Sequence, residues 1–448
     1  MKVDKAIKAT FNTNLIILNG FLVALLVGTI LLMLPVSSAS GNGTDFITAL
    51  FTATTSLCVT GLVVVPTYAY WSIFGKVIIL ILIQLGGLGI ISFTIGFLII
   101  IGKKISLKER KMIQESYNLD SAQGVLKILR KIFGITVKIE GIGAILYSIQ
   151  FIPEYGIVKG ICYSVFHSVS AFCNAGIDII GNDSFVKYHG NVLVNFTTVM
   201  LIICGGIGFI VWLDIGGIIS EIRNKKLRPN KFIERMKLHT KLVLITTAIL
   251  VGGGFLFILL FEYNNPDTLG NMTFGNKCLA ALFEAVTLRT AGFITVPQAG
   301  FRDGTFMIMC GMMIVGGSPL GTAGGIKTTT LALVFLLTWA TIKGKDDIEV
   351  CRRRINKQNV RSAVAIMALS FTEGAPLKVI TFEAVSALGT VGLSMDFTAS
   401  LTAIGKLIII VLMFFGRVGP ITIAMAMTGR ARKDRKIKNY PEKRVMIG

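Results

Sequence analysis

Phe51-Thr-Ala-Thr-Thr-Ser-Leu-Cys-Val-Thr-Gly61 is the first of four similar passages in this 448-residue chain. The other three run from Phe166 to Gly176, from Phe283 to Gly292 and from Phe382 to Gly392. Each of these glycine motifs begins with Phe, contains Ser or Thr, and ends in a turn built on Gly. The third is one residue shorter than the others. Because each lies between two long apolar segments, the motifs indicate an internally repeated chain.

The apolar segments are long enough for membrane helices. The chain is 53% hydrophobic and only 15% charged, and crossing a bilayer takes roughly 20 apolar residues. Since backbone amides in lipid must be satisfied within the segment, such runs predict helices. Only one run carries charges, Lys138 and Glu140. The runs are Leu15–Leu34, Val77–Ile101, Ile132–Ile152, Asn191–Leu213 and Leu242–Phe261.

The basic residues alternate with these runs. Lys and Arg outnumber Asp and Glu by 45 to 24, a net charge of +21. They cluster at the N-terminus and in four later segments, while the connections between clusters carry few charges. This pattern predicts a multi-pass protein of the cell membrane with both termini in the cytoplasm. It argues against nucleic-acid binding, since no such motif accompanies the charge. The later clusters are Lys103–Lys131, Arg223–Lys241, Lys343–Arg361 and Arg430–Arg444.

Spans and basic segments together define a repeating unit of helix, re-entrant loop with a glycine motif, and helix. The predicted fold is therefore an all-α membrane protein with four pseudo-repeats of helix–pore loop–helix around one central pore, because loops at membrane depth must be covered by protein. The predicted repeats are 10–110, 125–225, 235–345 and 355–430, followed by a cytoplasmic tail at 431–448.

The glycine motifs suit a cation filter. Stripping a cation of its water costs on the order of tens of kcal/mol unless other oxygens replace that water, and rings of backbone carbonyls can do so. Aiming carbonyls inward requires conformations that Gly adopts freely. Segment Phe51–Thr55 and its counterparts suit half-helices whose carbonyl ends face the cation.

One such glycine alone would be better explained by helix packing or a turn, whereas four registered copies favour the filter. The candidate filter residues are Cys58, Val59, Thr60 and Gly61; Cys173, Asn174, Ala175 and Gly176; Thr290, Ala291 and Gly292; and Thr390, Val391 and Gly392.

The segment 316–328 predicts a gate. Its density of Gly, Ser and Pro interrupts the second helix of the third repeat although apolar runs flank it, and broken helices at mid-membrane usually line a pathway. A phosphate-binding loop is excluded, since Ile326 precedes Lys327 where that motif requires Gly. A structural kink is the remaining alternative. The candidate gate residues are Gly316, Gly317, Ser318, Pro319, Gly321, Thr322, Gly324, Gly325, Lys327 and Arg417.

Arg417, in the last apolar helix, is the only charge between Lys406 and Arg430, and an intramembrane charge indicates function. Two roles fit it: an electrostatic barrier to cations beneath the filter, or a partner for the loop at 316–328. The alternative is a snorkelling or carbonyl-bonded side chain. For Glu284 and Glu383, which lie in the predicted half-helices, a functional role and a hydrogen-bonded scaffold fit equally well.

The first helix of the fourth repeat is short. Residues 362–372 span roughly 16 Å at 1.5 Å per residue, against the ~30 Å of a hydrocarbon core.

The remaining residues point to no enzyme: the seven Cys form no CxxC pair, the three His form no zinc pattern, and no nucleophile–base pair stands out. We therefore expect no cofactor bound by this chain.

The four motifs, from Thr55-Ser-Leu-Cys-Val-Thr-Gly-Leu62 onwards, resemble the filter sequences of the Trk/Ktr/HKT superfamily of potassium transporters. The tail Tyr440–Gly448 looks most like the bacterial Ktr membrane subunit. The resemblance implies K⁺ uptake, a homodimer in membrane lipid, a cytoplasmic ring of nucleotide-binding RCK subunits, and activation by Na⁺. It also implies an intramembrane gating loop at 316–328 and a full first helix in the fourth repeat. Gly at all four filter positions, Gly61 included, goes with K⁺ preference in this superfamily.

We therefore expect a K⁺ channel-like pore, gated at 316–328. Two alternatives stay open: a conductor of Na⁺ or of cations without selectivity, and a non-conducting paralogue whose shortened fourth repeat has lost the pore.

Overall fold

The structure is a computed structural model, and it describes residues 2–89, 125–181, 183–225, 228–325, 327–329 and 375–418. Within these ranges the chain is helical and forms no β-strand, so the predicted all-α class is confirmed. The short first helix of the fourth repeat and the tail at 431–448 lie outside the described residues.

The major helices of the described ranges differ widely in length. They are α1 (Lys2–Met33), α2 (Phe46–Leu57), α3 (Ile73–Leu88), α4 (Val125–Tyr155), α5 (Ile157–Phe172), α6 (Val192–Gly206), α7 (Phe209–Arg223), α8 (Leu238–Glu262), α9 (Phe274–Thr287), α10 (Asp303–Ile314), α11 (Leu377–Gly389) and α12 (Ala403–Val418). Two further helices of four residues are Thr67–Tyr70 and Phe232–Arg235.

Helices α4 and α8 have the length and apolar surface of membrane spans. In the described part of the chain these two meet that test alone, and α6 with α7 meets it as a bent pair. Ile142, Ile145 and Ile149 follow one face of α4 and are each more than half exposed. Exposed aliphatic residues at this helical spacing suit contact with lipid.

The apolar run Asn191–Leu213 predicts one continuous span, and the structure corrects this. The run contains all of α6 and the start of α7, and the axes of these two helices are bent by 97°. The break falls at Gly208, whose φ of +90° lies outside the helical region. The amide of Phe209 then donates to the carbonyl of Leu320 at 3.0 Å, in the segment predicted as the gate.

Four short helices, α2, α5, α9 and α11, carry the glycine motifs and are termed the pore helices. The Phe that begins each motif is fully or almost fully buried and anchors its helix in the core. The side chain of Asp45 caps α2 by accepting from the amides of Ile47 and Thr48 at 3.0 and 3.3 Å. The anchoring residues are Phe51, Phe166, Phe283 and Phe382.

The pore helices pack in a cyclic order. Each contacts a neighbouring helix of its own predicted repeat and, in addition, the second helix of the repeat before it. The last described helix, α12, packs on the first pore helix, which closes the circle. The contacts between repeats are α2 with α12, α5 with α3, α9 with α6, and α11 with α10.

Candidate functional site

The four glycine turns meet at the centre of this circle. A Cβ built on Gly61 would lie 2.6 Å from the carbonyl oxygen of Ala175, and one built on Gly292 would lie 2.7 Å from that of Val391. In every motif the glycine faces the carbonyl of the residue that precedes the next motif's glycine. The fourth pair returns to the first motif, so the turns form a closed ring. The pairs are Gly61–Ala175, Gly176–Ala291, Gly292–Val391 and Gly392–Thr60.

All four turns share one backbone conformation. In each, the glycine and the residue two positions before it have positive φ. For a non-glycine residue this left-handed conformation costs about 1–2 kcal/mol, and such strain concentrates at functional sites. The non-glycine residues are Val59, Asn174, Thr290 and Thr390, with φ of +55°, +60°, +66° and +53°.

A hydroxyl near the end of each pore helix braces its turn. Thr55 accepts from the amide of Gly61 through Oγ1 at 3.0 Å, and Ser386 accepts from Gly392 through Oγ at 3.1 Å. In the other two motifs Ser170 and Thr287 donate instead, to the carbonyls of Ile177 at 2.6 Å and Phe293 at 2.7 Å. In the shorter third motif Thr287 keeps its place four residues after the Phe, and the missing residue lies between this hydroxyl and the glycine.

Glu284 and Glu383 follow the anchoring Phe of their motifs and are fully buried. Glu383 accepts from Ser394 and, at 3.1 and 3.2 Å, from Thr398. Glu284 accepts from Gln298 at 3.2 Å. Both carboxylates thus hold the segment that follows their own glycine turn, and these contacts fit the scaffold interpretation.

A cavity of about 540 Å³ opens on one side of the ring, and all four motif glycines line it. Among the described residues that line it are three carboxylates, Asp178, Asp183 and Asp396, and no Lys or Arg. A cavity with this charge concentrates cations at its mouth.

The segment 316–328 packs against the pore-helix ends and the turns. The hydroxyl of Thr322 lies 3.0 Å from the carbonyl oxygen of Phe172, and a Cβ on Gly324 would overlap the hydroxyl of Thr390. The amide of Ser318 donates to the carbonyl of Gly206 at 2.8 Å. The segment therefore contacts the second and fourth motifs.

The other candidate gate residues lie in the same segment. Gly316 packs on the carbonyl of Gly324, Gly317 on Gly206 and Ala323, and Gly325 on Gly316. The Pro319 carbonyl faces Gly208, and the amide of Gly321 donates to Ser318. The ammonium of Lys327 donates to the carbonyl of Ala323 at 2.8 Å.

The guanidinium of Arg417 bridges two parts of the chain. One nitrogen donates to the carbonyl of Thr322 and the other to the carbonyl of Gly86, at the end of α3. These contacts fit the predicted role as partner of the 316–328 loop and equally the alternative of a carbonyl-bonded side chain. The barrier role stays a prediction.

A second repeated feature, a glycine doublet in or just beyond the helix that follows each of the first three motifs, was not predicted from the sequence. The first glycine packs on the carbonyl end of a pore helix: Gly86 on Leu57, Gly205 on Phe172 and Gly416 on Leu388. The sequence feature that could have revealed these contacts is the glycine pair itself, which recurs after the motifs. The doublets are Gly86-Gly87, Gly205-Gly206, Gly316-Gly317 and, with a replacement, Gly416-Arg417.

Glu140 also belongs to this site. Its carboxylate accepts from the amide of Gln84 at 3.0 and 3.3 Å, and Gln84 in turn accepts from the thiol of Cys173 at 3.3 Å. Its carbonyl accepts from Ser168 at 2.6 Å. The sequence could have pointed to Glu140, because it is a carboxylate inside a predicted span. It could not have identified the partner, since Gln84 lies in another helix.

The helices of membrane-spanning length and the closed ring of glycine turns indicate a membrane transport protein. The chain belongs to the TrkH family, described as cation transport proteins, whose model matches residues 2–435. The predicted resemblance is thereby confirmed, and the chain is a transporter and not an enzyme.

The chain is similar over its full length to relatives with assigned names. The potassium/sodium uptake protein NtpJ of Enterococcus hirae is 40% identical, with 100% of this chain and 99% of the relative covered. The Ktr system potassium uptake protein B of Bacillus subtilis is 38% identical, with both chains covered completely. The crystal structure of the potassium transporter TrkH from Vibrio parahaemolyticus shares the fold, with a TM-score of 0.68, 16% identity, and coverage of 92% of this chain and 85% of that one.

The glycine doublet gives a matched test of the packing. A methyl on Gly205 would overlap the Phe172 carbonyl and lie 2.6 Å from Thr322 Oγ1, whereas one on Gly206 would meet only Asn174 Nδ2, at 3.8 Å. We expect Gly205→Ala to destabilise the folded protein by about 1–3 kcal/mol and Gly206→Ala to be tolerated. Thermal unfolding in detergent measures the difference, and equal melting temperatures for the two variants would contradict it.

Proposed function

We propose that this chain takes up K⁺ across the cell membrane through a carbonyl-lined, channel-like pore with a gate beneath its filter. The observation that carries the proposal is the closed ring of glycine–carbonyl contacts, Gly61–Ala175 through Gly392–Thr60. Four turns that approach so closely leave their carbonyls around one axis, where they can replace the water of a monovalent cation.

The surroundings of the ring suit a cation. Pore helices end at the turns, so their C-terminal dipoles favour positive charge there. Three buried hydroxyls of the candidate filter, those of Thr60, Thr290 and Thr390, have no hydrogen-bond partner among the described residues. A buried polar group without a partner is costly, and a site with several of them suits a polar or charged occupant. Asp178, Asp183 and Asp396 would draw cations into the cavity above.

Preference for K⁺ over Na⁺ is supported by Gly at all four filter positions and by the names of the relatives. Na⁺ conduction is the second candidate, because one relative is named a potassium/sodium uptake protein. The non-conducting alternative depended on the short segment 362–372, outside the described residues. Against it, Gly392 of the fourth motif contacts Thr60 and Gly61 as the ring requires.

The loop at 316–328 and Arg417 are proposed as the gate. The loop contacts the second and fourth glycine motifs through Thr322 and Gly324. The guanidinium of Arg417 connects the loop to α3, because it bonds the carbonyls of both Thr322 and Gly86. A positive charge held below a cation filter opposes cation exit, and movement of the loop with its carbonyl partner would change that barrier.

A regulatory partner is part of the proposal. A relative is named as one component, protein B, of a Ktr system, which supports a partner subunit for this chain as well. We propose a homodimer above a cytoplasmic ring of RCK-type subunits, with the nucleotide bound by that ring and Na⁺ as an activator. The basic cytoplasmic segments predicted from sequence would face this ring, with both termini on the same side.

Tracer uptake tests the function directly. Proteoliposomes or K⁺-uptake-deficient cells that contain this chain should accumulate Rb⁺ above the level of the empty membrane, and a cytoplasmic regulatory subunit should change the rate. Absence of Rb⁺ uptake with the protein present in the membrane would contradict conduction and support the non-conducting alternative.

Selectivity should depend on the first filter glycine. A Cβ on Gly61 would lie 2.6 Å from the Ala175 carbonyl, at φ of +102°, so Gly61→Ser should displace the ring. We expect the ratio of Rb⁺ to Na⁺ uptake to fall by roughly tenfold, or about 1.4 kcal/mol. Gly41→Ser is the matched control, since Gly41 also has positive φ but nothing within 4 Å of its Cβ position. An unchanged ratio in Gly61→Ser would refute the filter assignment.

Regulation of uptake should depend on the loop at 316–328. Deleting Ser318–Gly325 removes one acceptor of Arg417 and the contacts with Phe172 and Thr390, so Rb⁺ uptake should rise and respond less to the regulatory subunit. Size-exclusion profiles matching the parent protein serve as the folding control. If uptake and regulation both stay as in the parent, the loop is not the gate.

A further inference from the structure

The side chain of Asn174 joins the filter to the loop beneath it. Its amide nitrogen donates to the carbonyl of Arg289, in the third motif, at 3.4 Å. Its amide oxygen accepts from the hydroxyl of Thr322, in the loop, at 3.0 Å. Asn174 and Thr322 are both fully buried, so water does not compete for these hydrogen bonds.

Among the described residues of the loop, Thr322 has the most hydrogen-bond partners. Besides Asn174, its hydroxyl lies 3.0 Å from the carbonyl of Phe172, at the end of the second pore helix. Its amide donates to the carbonyl of Gly205 at 3.2 Å, and its carbonyl accepts from Arg417. One hydroxyl hydrogen therefore has two acceptors at equal distance, one in the pore helix and one in the filter turn.

Asn174 is unlike its counterparts in the other motifs. The equivalent left-handed residues are Val59, Thr290 and Thr390. Val has no polar side-chain atom, and neither threonine hydroxyl has a hydrogen-bond partner among the described residues. Within the described residues, only the second motif bonds to the loop through the side chain at this position. Asn is also a residue that tolerates the left-handed conformation well.

We propose that the Asn174–Thr322 hydrogen bond couples the filter to the gate, and that the two are positioning residues for ion selection. The inference rests on the proposed function, because it requires a filter and a gate. When the loop moves, Thr322 leaves Asn174, and the turn whose carbonyls are proposed to contact the ion loses its support from below. Conversely, a filter turn held by an ion keeps Asn174 in place and favours the closed position of the loop. The two sites thereby share one coupling free energy, which acts in both directions.

The test separates a filter property from a gate property. The filter property is the ratio of tracer Rb⁺ to Na⁺ uptake, and the gate property is the rise in Rb⁺ uptake when the regulatory subunit is added. Thr322→Val keeps the shape of the side chain and removes the hydroxyl. Asn174→Gly keeps the left-handed backbone and removes the amide. Each is expected to change both properties, by about fivefold if one hydrogen bond of ordinary net strength is lost.

Three further variants make the test specific. The double variant should show less than the product of the two single effects, because both single variants remove the Asn174–Thr322 hydrogen bond and each also removes one of its own, to Phe172 or to Arg289. Thr322→Ser keeps the hydroxyl and should restore the parent's ratio. In Ser318→Ala the lost hydroxyl has one hydrogen-bond partner among the described residues, Thr328 at 2.9 Å within the loop, so uptake should change without a change in the ratio.

An unchanged Rb⁺ to Na⁺ ratio in Thr322→Val would overturn the coupling, as would single effects that multiply in the double variant. Should Thr322→Val fail to reach the membrane, Asn174→Gly tests the same coupling from the filter side through its response to the regulatory subunit. Rb⁺ uptake by the parent protein distinguishes failure of the proposed function from failure of the coupling alone. If the parent takes up no Rb⁺, the proposed function fails and the coupling fails with it. If the parent transports Rb⁺ and only the ratio fails to respond, the coupling alone is wrong.

Discussion

Close approach of four backbone turns is the constraint from which the rest of this structure follows. No side chain fits at the motif glycines, because the carbonyl of the next turn occupies the position where a Cβ would stand. Backbone that is not helical cannot face lipid. The turns therefore need a wall around them, and the pore helices with their flanking helices supply it in a cyclic order. The lipid-facing surface of α4 and α8 is the outside of that wall.

The same constraint explains the glycine doublets. For the turns to meet, the carbonyl ends of the pore helices must come close to the surrounding helices, and a side chain there would hold them apart. Gly86, Gly205 and Gly416 each face the end of a pore helix for this reason. The third repeat is different: α10 ends at Ile314, and Gly316 packs on Gly324 of its own loop. The loop thus occupies space that a continuing helix would take elsewhere.

Local pattern was enough to predict the four motifs, the pore helices and the interruption at 316–328, since each depends on residues close together in the chain. The all-α class followed from hydrophobic length alone. The break at Gly208 was not predictable in this way, because apolar residues continue through it and the bend is fixed by Leu320 and Pro319, far along the sequence. The partners of Glu140 and Arg417 were hidden for the same reason: sequence indicates that a buried charge needs a partner but not which carbonyl or amide provides it.

Three residues that differ from their counterparts in the other repeats lie near one element, the loop at 316–328. Arg417 stands where the other doublets have their second glycine, Asn174 stands where the other motifs have Val or Thr, and Arg289 stands where the first two motifs have Cys. Arg417 and Asn174 bond to Thr322, and Arg289 lies 3.5 Å from the carbonyl of Gly316. An assembly of four identical chains would carry four copies of every such residue, with four guanidiniums crowded below one axis. A single chain with four internal repeats can place a charge, an amide and a broken helix each in one position only. The asymmetry is therefore the means by which one loop can pack against a ring of turns that are otherwise alike.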